Sequence, residues 1–308
     1  MQKDSYTLKE RMIDVGDNHQ LYTQLWGSPT AKETIIFLHG GPGSGCNDGH
    51  KLLFDPNAHK VLFFDQRGAG KSLPKGSLLN NTTEALVNDI TTIASHYGIT
   101  SFALTGGSWG SCLALAYGLK HPKKVTRMVL RGIFTGRQSE IDFIDKGQFR
   151  TFFPEVWERF AASVPTEAAS EPAAYHQARI FNNDESARKA SFAYSELEGS
   201  ISTLDDRAAL PNRIDPASFD PTGSTIETHY LVNTCFLEEG YIMKNASKLT
   251  MPIALVQGRY DMVCPPCTAY ELHKALPNSS LTWTIAGHSG NDRANFDAVK
   301  LLLTTKSY

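Results

Sequence analysis

Six short stretches of the chain, 34–38, 61–65, 102–105, 125–130, 253–257 and 281–285, are apolar at nearly every position. A strand with one wet face alternates polar and apolar residues, whereas a strand covered by helices on both faces reads as a continuous apolar run. The stretches are rich in β-branched and aromatic residues and end at turn formers, so they predict a buried parallel sheet. Between the second and third, Leu86, Ile90, Ile93 and Tyr97 recur at helical spacing behind Asn80, Asn81, Thr82 and Thr83, a group suited to capping a helix N-terminus. The alternation of strand and helix predicts an α/β layered architecture.

The pattern stops at about Thr135 and resumes after Asn245. Residues 135–245 are rich in Ala, Glu and Arg and are broken at Pro154, Pro165, Pro172, Pro211, Pro216 and Pro221. At 308 residues the chain is longer than one hydrophobic core usually supports. The expected organisation is therefore a core of 1–134 plus 246–308 with an inserted helical cap at 135–245. That segment holds 10 Lys and Arg against 18 Asp and Glu, and the remainder holds 20 against 14. Two accounts of this asymmetry stand: solvated helix faces, or a lid whose field draws in cationic substrates.

A formal charge of −2 with no basic cluster gives no reason to expect nucleic acid as a partner. No apolar leader and no run of about 18 apolar residues occurs, so a soluble, cytoplasmic protein with no membrane partner is expected. Five cysteines, an odd number, do not suggest a disulfide framework. Cys264 and Cys267 form a C-x-x-C pair, but no second pair or H-x-x-x-H accompanies it. The expectation is thiols in a proline-stiffened loop, and neither metal nor cofactor.

The chemistry centres on Gly106, Ser108 and Gly110, a G-x-S-x-G pattern directly after the run 102–105. A helix-like segment, 111–121, follows and stops before Pro122. Small residues flank such a serine because its backbone is strained and packs closely on neighbouring elements. A serine hydroxyl needs a histidine base, and the histidine needs a carboxylate to fix its tautomer. Asp261 and His288 follow the last two apolar runs, within Gly258–Asp261 and Ala286–Gly290. The order Ser, Asp, His is that of the α/β-hydrolase fold, whose triad gathers at the carboxyl ends of strands. An oxyanion needs two N–H donors, one from the residue after the nucleophile, Trp109, and one from a glycine in His39-Gly40-Gly41-Pro42-Gly43. His39 itself reads as orienting that loop.

These motifs resemble those of the prolyl aminopeptidases, or proline iminopeptidases, serine peptidases of the α/β-hydrolase fold. The resemblance rests on HGGPG at 39–43, DQRGAGKS at 65–72, NNTT at 80–83, GGSWGS at 106–111, LRGIF at 130–134, QGRYD at 257–261 and AGHSG at 286–290. It implies Ser108, Asp261 and His288 as the triad and Gly41 and Trp109 as oxyanion donors. It further implies that Glu198, in YSELEG, and Glu227, in IETHY, bind the substrate α-ammonium, whereas without the motifs both would read as exposed helix residues. The expected activity is release of an N-terminal proline from short peptides by way of an acyl-enzyme. Where the family carries tryptophans beside the first glutamate, this chain has Tyr194 and Leu197, and 140–147 holds Phe143 where relatives are richer in aromatics. Small residues such as alanine therefore join proline as candidate substrates, and a broad esterase or amidase on the same scaffold is the alternative.

Overall fold

The computed structural model describes residues 5–182, 184–204 and 219–305, so the breaks expected at Pro211 and Pro216 lie outside the described residues. Eight strands form one sheet: β1 Thr7–Asp14, β2 Gln20–Gly27, β3 Thr34–Leu38, β4 Lys60–Phe64, β5 Phe102–Ser108, β6 Val125–Ile133, β7 Ile253–Gly258 and β8 Ser279–Thr284. Their order is β1-β2-β4-β3-β5-β6-β7-β8. The six strands from β4 to β8 run parallel, and the two at the opposite edge pair antiparallel. All six apolar stretches are strands, within one or two residues of their expected starts. The hairpin β1–β2 is an addition. Sequence reading passes over it because β1 is a largely exposed edge strand, TLKERMID, with no apolar face to mark it.

Eleven helices complete the described fold. Those outside the segment between β6 and β7 are α1 Asp48–Lys51, α2 Thr83–His96, α3 Trp109–Lys120, α10 Pro266–Ala275 and α11 Arg293–Thr304. The strand period of two divides the sheet between two cores. Ile36, Leu38, Leu62, Leu104 and Leu130 face the side with Ile90 of α2 and Leu113 of α3. Ile35, Phe37, Val61, Val129 and Val256 face Val299 and Leu303 of α11. Each fully buried Leu or Ile contributes about 1.5–3 kcal/mol, and both faces are dry, which is why these strands carry no polar alternation.

From β6 to β7 the described residues form only helices: α4 Gln138–Asp145, α5 Pro154–Ala162, α6 Pro172–Ile180, α7 Glu185–Ile201, α8 Thr222–Leu231 and α9 Tyr241–Asn245, with short 3-10 turns. Pro154 and Pro172 occupy first-turn positions, where the missing N–H costs nothing. One of the quoted motifs, NNTT, fastens this segment to the core. Thr82 caps α2 by accepting from Ala85 N, Asn81 accepts a 2.8 Å bond from Tyr230 of α8, and Thr83 Oγ1 donates to Cys235 O. Arg67 makes a buried two-point ion pair with Asp89 of α2, at 2.7 and 2.8 Å, and reaches Asp17 in the β1–β2 turn. No helix of the described residues is long and apolar enough to cross a membrane.

Candidate active site

β5 ends at Ser108, whose φ of 57° and ψ of −127° no ordinary residue adopts without strain, of order 1–3 kcal/mol. Trp109 begins α3 at once, so its unpaired N–H points out of a helix N-terminus, where the dipole favours negative charge. The turn is held from beneath. A Cβ on Gly106 would lie 2.6 Å from Leu38 O, and one on Gly110 closer still to the same atom. Ser111 Oγ donates to Ser108 O at 2.7 Å and accepts from Phe134 N at 3.0 Å, tying the turn to the end of β6. Ser111 is a positioning residue that only its place in GGSWGS hinted at.

Gly40 lies against the serine, since a Cβ there would come within 3.5 Å of Ser108 Cβ. Gly41 has φ of +101°, open only to glycine in practice. His39 holds this loop, as expected. Its Nε2 accepts from Gln66 N at 2.9 Å, so the proton sits on Nδ1, which donates to Gly40 O at 2.9 Å. Burial lowers its pKa, keeping the ring neutral. Gln66 Nε2 donates to His39 O, and Gln66 Oε1 accepts from the Trp109 indole, both at 2.9 Å. One side chain of the DQRGAGKS motif thus clamps together the two loops that carry Gly41 and Trp109.

The ends of β7 and β8 bring Asp261 and His288 into contact, with His288 Nδ1 to Asp261 Oδ2 at 2.9 Å. Asp261 is buried and also accepts from Gln257 Nε2 at 2.9 Å, Val263 N at 3.0 Å and Cys264 N at 2.7 Å. Gln257 in turn accepts from Ile133 N at 2.8 Å. With Nδ1 bonded to the carboxylate, the Nε2 edge of His288 is left for the cavity that Ser108 also lines.

That cavity, of about 480 Å³, is lined by Gly41, Ser108, Glu198, Glu227 and His288 among others. A smaller apolar recess shares Gly41, Ser108 and both glutamates with it and is walled by Phe134, Ile141, Ile144, Tyr194, Leu231 and Val263. Phe143 does not line it; it packs on the hydrophobic core. Cys264 is buried against the recess, Cys267 is exposed, and both are free thiols. Among the described residues no cluster of potential metal ligands occurs.

Both glutamates are half-buried, with their accessible surface in the cavity rather than on outer helix faces. α8 is seated by Tyr230, whose ring meets the Trp109 ring edge-on at 4.7 Å, and by Ile226 against the space left by Gly43. Glu227 lies one turn from Tyr230 and is carried to the serine with it. α7 is joined to α8 by Ser195 and Ser224 at 2.8 Å, and to the His288 loop by Ser289 N donating to Ser202 O at 2.6 Å. Burial pushes the Glu227 carboxyl well above its usual range, and a bond to Glu198 pushes it the same way. Burial also raises Glu198, while His288 and that bond pull it down. Of the two carboxyls, Glu227 is the one these causes push up the more consistently.

A third acid, Asp145, lines the recess, accepting from Tyr194 Oη and Gln177 Nε2 at 2.7 Å each, and burial raises its pKa. Sequence reading missed it, for no motif or spacing marks an aspartate at the end of α4. The recess also touches Glu140, which is committed to Thr135 and Arg137 N.

The description of the α/β-hydrolase fold family matches residues 33–291. A proline iminopeptidase of Xylella fastidiosa is 42% identical over 303 residues, covering 96% of this chain and 95% of that one. One from Arabidopsis thaliana is 39% identical, covering 91% and 75%. Among solved structures, the proline iminopeptidase of Mycobacterium smegmatis superposes with a TM-score of 0.63 at 18% identity, covering 96% of this chain and 97% of that one. The α/β hydrolase MGS-M2 from a deep-sea metagenome gives 0.66 at 16%, covering 96% and 99%. These two likenesses speak to the fold alone.

Proposed function

This chain belongs to the proline iminopeptidase family of α/β-hydrolases and is a prolyl aminopeptidase, and we propose that Ser108, His288 and Asp261 carry its chemistry through an acyl-enzyme. Ser108 Oγ attacks the carbonyl carbon of the first peptide bond while His288 Nε2 takes its proton. Asp261 holds the Nδ1–H tautomer and stabilises the imidazolium. The oxyanion accepts from the N–H groups of Trp109 and Gly41, preset by the Gln66 clamp. Collapse expels the leaving amine, which takes the proton back from His288. Water, deprotonated by the same nitrogen, then hydrolyses the prolyl ester and frees Ser108.

Selectivity rests on residues 135–245, acting as a cap. A prolyl ammonium carries two N–H donors, and Glu198 and Glu227 accept both. Charge-assisted bonds of this kind are worth roughly 1.5–3 kcal/mol each, about 10- to 150-fold. The observation that carries this reading is the pair of glutamates facing the cavity of Ser108 rather than solvent. The ring of the proline enters the apolar recess. Its apolar wall lets alanine in as well, at a cost of about 1–3 kcal/mol for the lost methylenes. A rate panel of prolyl, alanyl, glycyl and leucyl arylamides tests this. Proline is expected first and alanine second; a leading leucine would contradict the recess assignment.

A further inference from the structure

From the position of Arg131 at the end of β6, we infer that the enzyme has a second ionic subsite, on the leaving-group side, which takes the C-terminal α-carboxylate of a dipeptide or tripeptide. The inference rests on the prolyl aminopeptidase reading and extends it to the other end of the substrate. Arg131 donates to His288 O. Among the described residues no carboxylate lies within ion-pair distance of it, and that carbonyl is its one hydrogen-bond partner there, so four of the five guanidinium N–H donors remain. The acids whose fields reach it are occupied: Asp261 by His288, and Asp292 by Gly287 N and Thr203. Burial lowers its pKa, as expected for a cation that lacks a counter-ion.

Arg131 opens onto space a ligand can enter. It lines the cavity of Ser108 and His288, and also an adjoining cavity of about 160 Å³ that shares Gly40 and His50 with the first. Gly107 makes room for it, since a Cβ there would fall 2.6 Å from the guanidinium carbon. His50 adds a neutral donor. Its pKa is pushed down to about 4, chiefly by burial and further by the nearby Arg131 cation, and its Nδ1 accepts from Asn47 N, which leaves the proton on Nε2.

The direction of the substrate follows from the two spaces around Ser108. The apolar recess contains Ser108 and both glutamates but neither His288 nor Arg131. The leaving amine must lie beside His288, which protonates it, and His288 and Arg131 line only the wider cavity of the two. A short peptide with its ring in the recess therefore points its far end toward the guanidinium. Each added residue carries the carboxylate roughly 3.3–3.6 Å further, so the benefit fades with length.

The test compares kcat/KM for Pro-Gly with Pro-Gly amide and for Pro-Gly-Gly with its amide, with a prolyl arylamide as reference. The wild-type enzyme is expected to prefer at least one acid over its amide by about 10-fold or more, the range of one charge-assisted bond, and Arg131→Gln to bring that ratio to about one. The ratio, not the absolute rate, is read, because Arg131 also holds the His288 loop. Equal rates on acids and amides in the wild type would overturn the subsite, as would an Arg131→Gln enzyme that slows on every substrate while keeping the preference. Should Arg131→Gln not fold, Arg131→Lys and the wild-type ratios decide. A wild-type enzyme inert to the prolyl arylamide would instead remove the underlying peptidase reading.

Discussion

Glu227 concentrates the conflict between stability and the proposed binding, since a half-buried carboxyl beside another acid is costly without a cation to pair with. Its pKa is raised in the folded state, so below the ordinary carboxylate value both states hold the proton. Above that value only the folded state does, and the stability this proton contributes is lost as pH climbs toward the raised native pKa. Glu227→Gln removes that dependence. The Tm of the variant is expected to exceed that of the wild type increasingly as pH rises from about 4.5, and parallel Tm–pH curves would contradict the raised Glu227 carboxyl. The same substitution is expected to raise KM for free-amine substrates by roughly 10- to 150-fold and to leave simple esters little changed. Gln66 poses a different case. Gln66→Ala leaves the buried Trp109 indole N–H without its acceptor, which should cost about 1–3 kcal/mol in a urea titration and lower kcat. A variant of unchanged stability would show that the clamp is not needed.

The elements show how much was legible. Strands β3 to β7 could be read because both faces of each are dry, whereas β8 is a half-buried edge strand; Ser108, Asp261 and His288 could be singled out because each lies at or just after the end of β5, β7 or β8. Strand β1 could not, being exposed, and neither Asp145 nor Arg131 could be assigned a use, because nothing local distinguishes a buried charge from a solvated one. The roles proposed for Glu198 and Glu227 rest on motif resemblance; without it both read as exposed helix residues. The turn between β5 and α3 gives the sharpest prediction at this scale. Gly106→Ala forces a Cβ to 2.6 Å from the backbone oxygen of Leu38, so the strand or the serine must shift, and displacement of about 1 Å costs on the order of 100-fold in rate. Near-normal kcat in a folded Gly106→Ala enzyme would contradict this account of the turn. At the start of α2, Thr82→Ala is expected to cost about 1 kcal/mol by loss of the cap, measurable in the same titration.

Across the whole molecule, the acidic balance of residues 135–245 acquires a local meaning. Four of its acids, Glu140, Asp145, Glu198 and Glu227, line the recess, and others, such as Glu185 and Asp142, pair with surface lysines. The exposed pairs fit the account of solvated helix faces, and the acids at the recess are where an attracting field would act. In the proposed reading the sheet supplies the reaction and the helical insertion the choice of substrate; the two are joined through Trp109, Tyr230 and Asn81. The central claim is that a free amino terminus is measured by Glu198 and Glu227 against Ser108. It is tested most directly by kcat/KM for a prolyl arylamide against its N-acetylated counterpart. The account predicts a preference of at least about 100-fold for the free amine, the product of two charge-assisted bonds of about 10-fold or more each, while equal rates on the two substrates would contradict it.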